Sequence, residues 1–301
     1  MTKITQFVLP FALVGLVGCS SETTVTPTVD AGPSTIYTRV GGAAGVRAVV
    51  TDFVGRVVAD NKINGYFLNR SVDSGRLTEC LVKQIGNATG GPEVYDCKDM
   101  KAAHVGMGVS KADFDDLAGH LVASLTVKGA AQADIDAIVA VLTPMAADIV
   151  EDAMNNKTIY QRAGRKPAVQ AVIDAFVTKV VADARINAFF AAPVDGARLK
   201  TCLVRQISSI DGPVKYGQEV SAETIEPGVS ATKICRSMKD SHAGFMAAGG
   251  RTIAKADFDA LVEDLVAVLD TTALAPADKT ALLGVLGPMC KDIVKDGVGC
   301  P

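Results

Sequence analysis

Tryptophan is absent from this 301-residue chain, and all aromatic residues together make up only 5% of it. Any core must therefore be built from Leu, Val, Ile and Ala rather than from rings. A surplus of one charge is missing as well: 30 Lys and Arg face 33 Asp and Glu, for a net −3. That balance offers no electrostatic footprint for nucleic acid, and no run of like charge marks an interaction tail. Histidine occurs only three times, and the seven cysteines form no CxxC pair. The apolar stretch from Phe7 to Gly18 spans twelve residues, against about 20 for a helix that crosses a bilayer. What remains is globular composition, 49% hydrophobic and 21% charged with 28 Gly and 12 Pro. It excludes a wholly disordered chain and a polytopic membrane protein, and the length allows two domains.

Lys3 followed by that short apolar stretch reads as an export signal. The junction Leu16-Val17-Gly18-Cys19 resembles the bacterial lipobox, after which the lipid-modified cysteine becomes the new N-terminus. Residues 1–18 are expected to be the signal and 19–34, rich in Thr, Pro and Ser, a flexible tether. Ser20, with no Asp behind the cysteine, fits outer-membrane sorting. The expectation is an exported lipoprotein on the outer membrane, facing the periplasm or the cell surface, in an oxidising compartment.

The remainder is a duplication with a period near 120–145 residues. Thr35-Ile36-Tyr37 recurs as Thr158-Ile159-Tyr160, and Phe53 to Asp60 recurs as Phe176 to Asp183. Cys80-Leu81-Val82 matches Cys202-Leu203-Val204. Ala112-Asp113-Phe114-Asp115 matches Ala256-Asp257-Phe258-Asp259, and Pro144-Met145 matches Pro288-Met289. Two domains are expected, 35–153 and 157–301. Phe114, Leu117, Leu121 and Leu125 stand at i, i+3, i+7 and i+11, and Phe258, Leu261, Leu265 and Leu269 repeat the spacing. Each is one apolar stripe of a helix. Val49, Val50, Phe53, Val57 and Val58 form another, and no alternating strand pattern competes. Both units are expected to be all-α.

His104 and His242 occupy equivalent places, each closing a five-residue run that begins with Met-Lys (Met100 and Met238). His120 has no twin, since Asp264 stands there, and is read as part of a solvated helix face. On the residues alone, the paired histidines could be metal ligands, but a lone histidine in a helical unit is more often structural. The order Ile36-Tyr37, Gly41-Gly42, Asp52-Phe53, Ala59-Asp60, Tyr66-Phe67, Arg76-Leu77, Gly90-Gly91-Pro92, Met100 to His104 resembles the group I truncated haemoglobins. The likeness extends to the second copy. It implies two tandem two-over-two helical globin domains, each holding one haem b, with His104 and His242 as proximal iron ligands. Phe67 and Phe190 match the phenylalanine that packs on the porphyrin, and Phe53 and Phe176 match a second pocket phenylalanine. No CxxCH occurs, so covalent attachment of the c type is not expected.

The chain departs from the family where bound oxygen is contacted. Many members place Tyr after the helix phenylalanine and Gln on the facing helix. Here Val54 and Val177 face Leu81 and Leu203, with Leu77 and Leu199 nearby. A donor in a dry pocket contributes about 1.5–3 kcal/mol to a partly charged ligand, so its loss predicts roughly tenfold weaker oxygen binding. The expected function is binding, sensing or buffering of O₂, NO or CO, with no redox partner evident. A peroxidase-like or nitric-oxide-oxidising enzyme and a haem-free scaffold are the alternatives; no acid–base residue supports the enzyme. The second copy has Arg165 where the first has Gly42, followed by Lys166 and Pro167, so its first turn is expected to differ. Equivalence within the duplication pairs Cys80 with Cys97 and Cys202 with Cys235, leaving Cys290 with Cys300. Each of the first two would tie the distal-side helix to the segment entering the histidine. Glu219, Glu223 and Glu226 in the insertion 217–233 are expected to be solvated.

Overall fold

Short polar caps start half of the α-helices described in the computed structural model, which describes residues 34–191, 194–219, 226, 228–229 and 233–301. The export signal, Cys19, nearly all of the tether and Glu223 lie outside the described residues. Thr35 accepts from the Thr38 amide ahead of α1 (Ile36–Arg39), and Gly41 turns the chain into α2 (Gly42–Ala59). Asp73 caps α3 (Ser74–Ala88) and Asp99 caps α4 (Met100–His104). Ser110 and Asp113 exchange hydrogen bonds in a capping box at α5 (Lys111–Val127). Then follow α6 (Gln132–Leu142) and α7 (Ala146–Ile149).

The order recurs as α8 (Ile159–Ala163), α9 (Arg165–Ala182), α10 (Gly196–Ser208), α11 (Met238–His242), α12 (Lys255–Leu269), α13 (Pro276–Leu286) and α14 (Cys290–Ile293). Among the described residues no strand forms, and pairing is confined to isolated bridges such as Asn69 with Glu219. In the first half α2 packs on α3 and α5; in the second α9 packs on α10 and α12. The apolar stripes meet there. Val49, Val50, Phe53, Val57, Leu121 and Leu125 are buried in one cluster, and Phe176, Val180, Leu265 and Leu269 in the other. No helix among the described residues is long and apolar enough to cross a membrane.

Residues 35–301 form one compact unit, and its halves join through groups that the sequence leaves unplaced. The turn expected to differ does not. Gly164 and Arg165 sit at φ +99° and +63°, as Gly41 and Gly42 sit at +98° and +61°. A side chain in this left-handed region costs about 1–2 kcal/mol. Arg165 is held there by ion pairs to Asp113 at 2.9 Å and Asp116 at 2.8 Å, both in the first half.

The insertion corrects a second expectation. Glu219 and Glu226 are buried, at 0% and 2% exposure, rather than solvated. Arg205, 1% exposed, lies 3.0 Å from Glu219 and 2.6 Å from Glu226. Its guanidinium also donates to Asn69 Oδ1 of the first half at 3.0 Å, while Lys166 donates to Asn64 Oδ1 at 3.1 Å. Two buried carboxylates are thus balanced by two buried cations, the condition under which charge survives away from water. Gly65 marks how close the halves come: a Cβ there would meet Val214 at 3.0 Å and Pro213 at 3.3 Å.

Candidate functional site

His104 and His242 are the last residues of α4 and α11, and both are half-buried. Nδ1 of His104 lies 2.7 Å from the Met100 carbonyl oxygen, and Nδ1 of His242 lies 2.8 Å from that of Met238. A carbonyl only accepts, so Nδ1 carries the hydrogen and the neutral ring keeps its lone pair on Nε2. The tautomer is therefore set by the helix itself.

A helix of five residues does not sustain itself on its own hydrogen bonds, and tethers supply the rest. The expected disulfides form: Cys80–Cys97, Cys202–Cys235 and Cys290–Cys300. The first ties α3 to the segment entering α4, and the second ties α10 to the segment entering α11. Gln84 on α3 reinforces this by donating to the sulfurs of Met145 at 3.2 Å and of Met100, on α4, at 3.6 Å.

Of the residues singled out as a pocket, Leu77 and Leu81 lie on α3 and Leu199 and Leu203 on α10, Phe53 and Val54 lie on α2 and Phe176 and Val177 on α9, and Phe67 and Phe190 close the turns that follow. Phe53 and Phe176 are buried, at 5% and 7% exposure. Val54, Phe67, Leu77 and Leu81 are half-buried, as are Val177, Phe190, Leu199 and Leu203. Val54, Phe67, Leu81 and Met100 pack on the first core cluster, and Val177, Phe190 and Leu203 on the second. Leu77 and Leu199 stand one turn earlier on the helix faces that carry Leu81 and Leu203. None of these side chains can donate a hydrogen bond.

His120 does not lie on a solvated face. It is half-buried, with Nε2 2.8 Å from Asp60 Oδ2. Burial pushes the Asp60 carboxyl up, but the Lys62 amide and His120 hold it below its ordinary range. Asp264, in the equivalent place, is 4% exposed and lies 3.6 Å from Lys179. The two residues are partners of different charge, His120 half-buried beside a carboxylate and Asp264 buried beside a lysine.

Three features escaped sequence reasoning. Buried Tyr66 donates to Asp113 at 2.9 Å, and the same carboxylate accepts from Gln161 at 2.9 Å. Burial alone would raise the Asp113 carboxyl, yet hydrogen bonds from Ser110, Arg165 and Gln161 keep it below the usual range. Burial, and then the Asp113 charge, push the Tyr66 hydroxyl up. The capping box gave a local signal for Asp113, but its partners from the second half had none. The carboxylate of Glu151 reaches the loop behind His104, accepting from the Gly106 and Gly108 amides at 2.6 Å each. An apolar cavity of about 290 Å³ in the second half is walled by Tyr160, Val169, Ile173, Leu265, Leu269 and Leu282 among others, and by none of the residues singled out from sequence as a haem pocket.

The bacterial-like globin family matches residues 35–151. A group 1 truncated haemoglobin of Mycolicibacterium paratuberculosis is 33% identical over 127 residues, covering 42% of this chain and 92% of that protein. One from Tetrahymena pyriformis is 33% identical over 106 residues, covering 35% and 84% respectively. The Fe(III) structure of the Tetrahymena pyriformis truncated haemoglobin aligns at 29% identity over 39% of this chain and 98% of its own, with a TM-score of 0.37. The helical first half, with its capped short helix ending in histidine, is that of a globin. Within that class, the chain belongs to the group 1 truncated haemoglobin family.

Proposed function

We propose that this chain is a tandem globin that holds one haem b in each half, takes up diatomic gases, and is carried outside the cytoplasm on a lipid anchor. The observation that supports it is the duplicated imidazole, committed through Nδ1–H to the carbonyl four residues back and offering Nε2 to a metal. A carbonyl acceptor behind a ligating histidine fixes its tautomer and raises its basicity. The donor set therefore suits a proximal haem ligand.

His104 and His242 would hold the iron, with Phe53, Phe67, Phe176 and Phe190 against the ring. When bound, haem supplies a metal with a coordination position for a diatomic ligand. The side chains set selectivity. Val54, Leu77 and Leu81, and Val177, Leu199 and Leu203, exclude water and give the ligand no hydrogen bond. Oxygen, which gains most from a donor, is disfavoured relative to CO and NO. With no acid or base at these positions, the reading is gas binding, sensing or buffering rather than turnover.

Residues 1–18 and Cys19 support export and lipidation. The three disulfides suit an oxidising compartment. An outer-membrane location is the corresponding proposal.

Absorption spectroscopy of the purified protein tests the core of this reading. A Soret band with two haems per chain is expected, and His104→Ala and His242→Ala should each leave one. A protein that takes up no haem, or keeps both haems in both variants, overturns it. Metabolic labelling with radioactive palmitate should mark the chain and fail in Cys19→Ser; label retained in that variant rules out this anchor.

A further inference from the structure

The chain leaves α4 through Val105-Gly106-Met107-Gly108, and little of its own main chain steadies it. Gly106 and Gly108 take φ +77° and +67°, and a Cβ at either would meet nothing within 4 Å. One internal hydrogen bond closes the loop, from the Met107 amide to the His104 carbonyl at 3.0 Å. The remaining hold comes from far along the sequence. Glu151 places one carboxylate oxygen 2.6 Å from the Gly106 amide and the other 2.6 Å from the Gly108 amide. Two amides converging on one anion form a cradle, and bonds to a charged acceptor are the strong kind. Glu151 is anchored in turn: its amide donates to the Val109 carbonyl at 2.8 Å, and its carbonyl accepts from the Lys157 ammonium. Helix α4 also packs on α7, which ends two residues before Glu151. The helix bearing His104 is thus held by a disulfide before it and by a carboxylate behind it.

The second half lacks that carboxylate. Lys295 stands where Glu151 does, and its amide donates to the Ile253 carbonyl at 3.0 Å, repeating the main-chain contact. A lysine side chain cannot accept from an amide. The loop behind His242 is six residues longer and holds the ring by other means. Phe245 presents itself edge-on to the imidazole, with centroids 6.3 Å apart at 73°. Phe189 lies 6.4 Å from Phe245, and the Arg251 guanidinium lies 4.7 Å over the Phe189 ring.

We propose that Glu151 is a positioning residue for His104, setting the end of α4 and with it the direction of the imidazole, whereas Phe245 does this for His242 by packing on the ring. The two histidines then meet a metal unequally, one through its loop and one through its ring. The consequence for a bound metal rests on the haem reading above; the clamp itself does not.

Amide hydrogen exchange in the haem-free protein tests the clamp. Glu151→Ala should speed exchange at Gly106 and Gly108 at least tenfold and leave Gly244 unchanged. In the haem-loaded ferrous protein, resonance Raman should resolve two iron–histidine stretching components. Glu151→Ala should shift one of them and accelerate one of two phases of haem loss to an apoglobin acceptor about tenfold. Glu151→Gln, which keeps a single acceptor oxygen, should fall between. Phe245→Leu should move the other component, and Lys295→Ala neither. Unchanged glycine exchange overturns the proposal, as does a loaded protein in which Glu151→Ala shifts both components or none. A chain that binds no haem refutes the gas-binding reading instead, and the exchange measurement then decides the clamp alone.

Discussion

Lys83 and Arg205 occupy the same position on α3 and α10, three residues after Cys80 and Cys202, and their surroundings are opposite. Lys83 pairs with Asp96 at 2.7 Å, with side-chain exposures of 37% and 64%. Arg205 is enclosed by Glu219, Glu226 and Asn69 with almost no contact to solvent. A duplicated helix position carried over its positive charge, but an insertion and a neighbouring half decided what that charge does. Exposed pairs are screened and contribute little. A buried ion with one partner removed leaves the other uncompensated.

Deleting each charge should break this symmetry most visibly. Arg205→Ala is expected to lower unfolding free energy by about 3–5 kcal/mol, since it strands buried Glu219 and leaves Glu226 only Lys166, 3.5 Å away. Lys83→Ala should stay within the error of a urea titration; equal losses would mean that the buried cluster is not what joins the halves. Next comes the covalent staple. Replacing Cys80 and Cys97 by Ser should cost about 3 kcal/mol in the chain-entropy view of a loop this size. The pair Cys202 and Cys235 closes a longer loop, 33 residues against 17, and should cost slightly more. The reverse order, read from thermal melts, would assign the effect to packing instead. The smallest effect sharpens the gas-binding comparison. Val54→Tyr and Val177→Tyr each add a donor, and each should slow oxygen dissociation about tenfold, roughly 1.4 kcal/mol. Stopped-flow rates unmoved in both variants would mean that these valines do not face the ligand.

Much of this architecture was legible in the residues. Leu121 and Leu125, and Leu265 and Leu269, bury the stripes that their spacing announces. The cysteine pairs follow from equivalence between the copies, because two copies of one unit must bridge the same places. The histidines stand out the same way, as a rare residue kept at matching positions. What escaped was every contact that joins residues with no local relation. Asp113 reads as one member of a recurring Ala-Asp-Phe-Asp run, yet it receives Arg165 and Gln161 from the other half. Glu219 and Glu226 look like solvated acids of an insertion because their cations lie on α9 and α10. His120 looks superficial because Asp60, its partner, belongs to the end of another helix. Arg165 seemed to demand a new turn, but side-chain ion pairs hold it in the conformation that glycine adopts freely.

Composition and periodicity by themselves determined that the chain is helical, that stretches of its sequence recur, and which cysteines match, because those properties depend on spacing along the backbone and on comparison of one stretch with the other. The folded arrangement alone decided which charges are buried, how the halves lock together, and that a carboxylate meets the loop behind one histidine while a phenylalanine ring meets the imidazole of the other. These outcomes depend on which groups meet in space, and the cost of leaving a charge or an amide unpaired is settled only there.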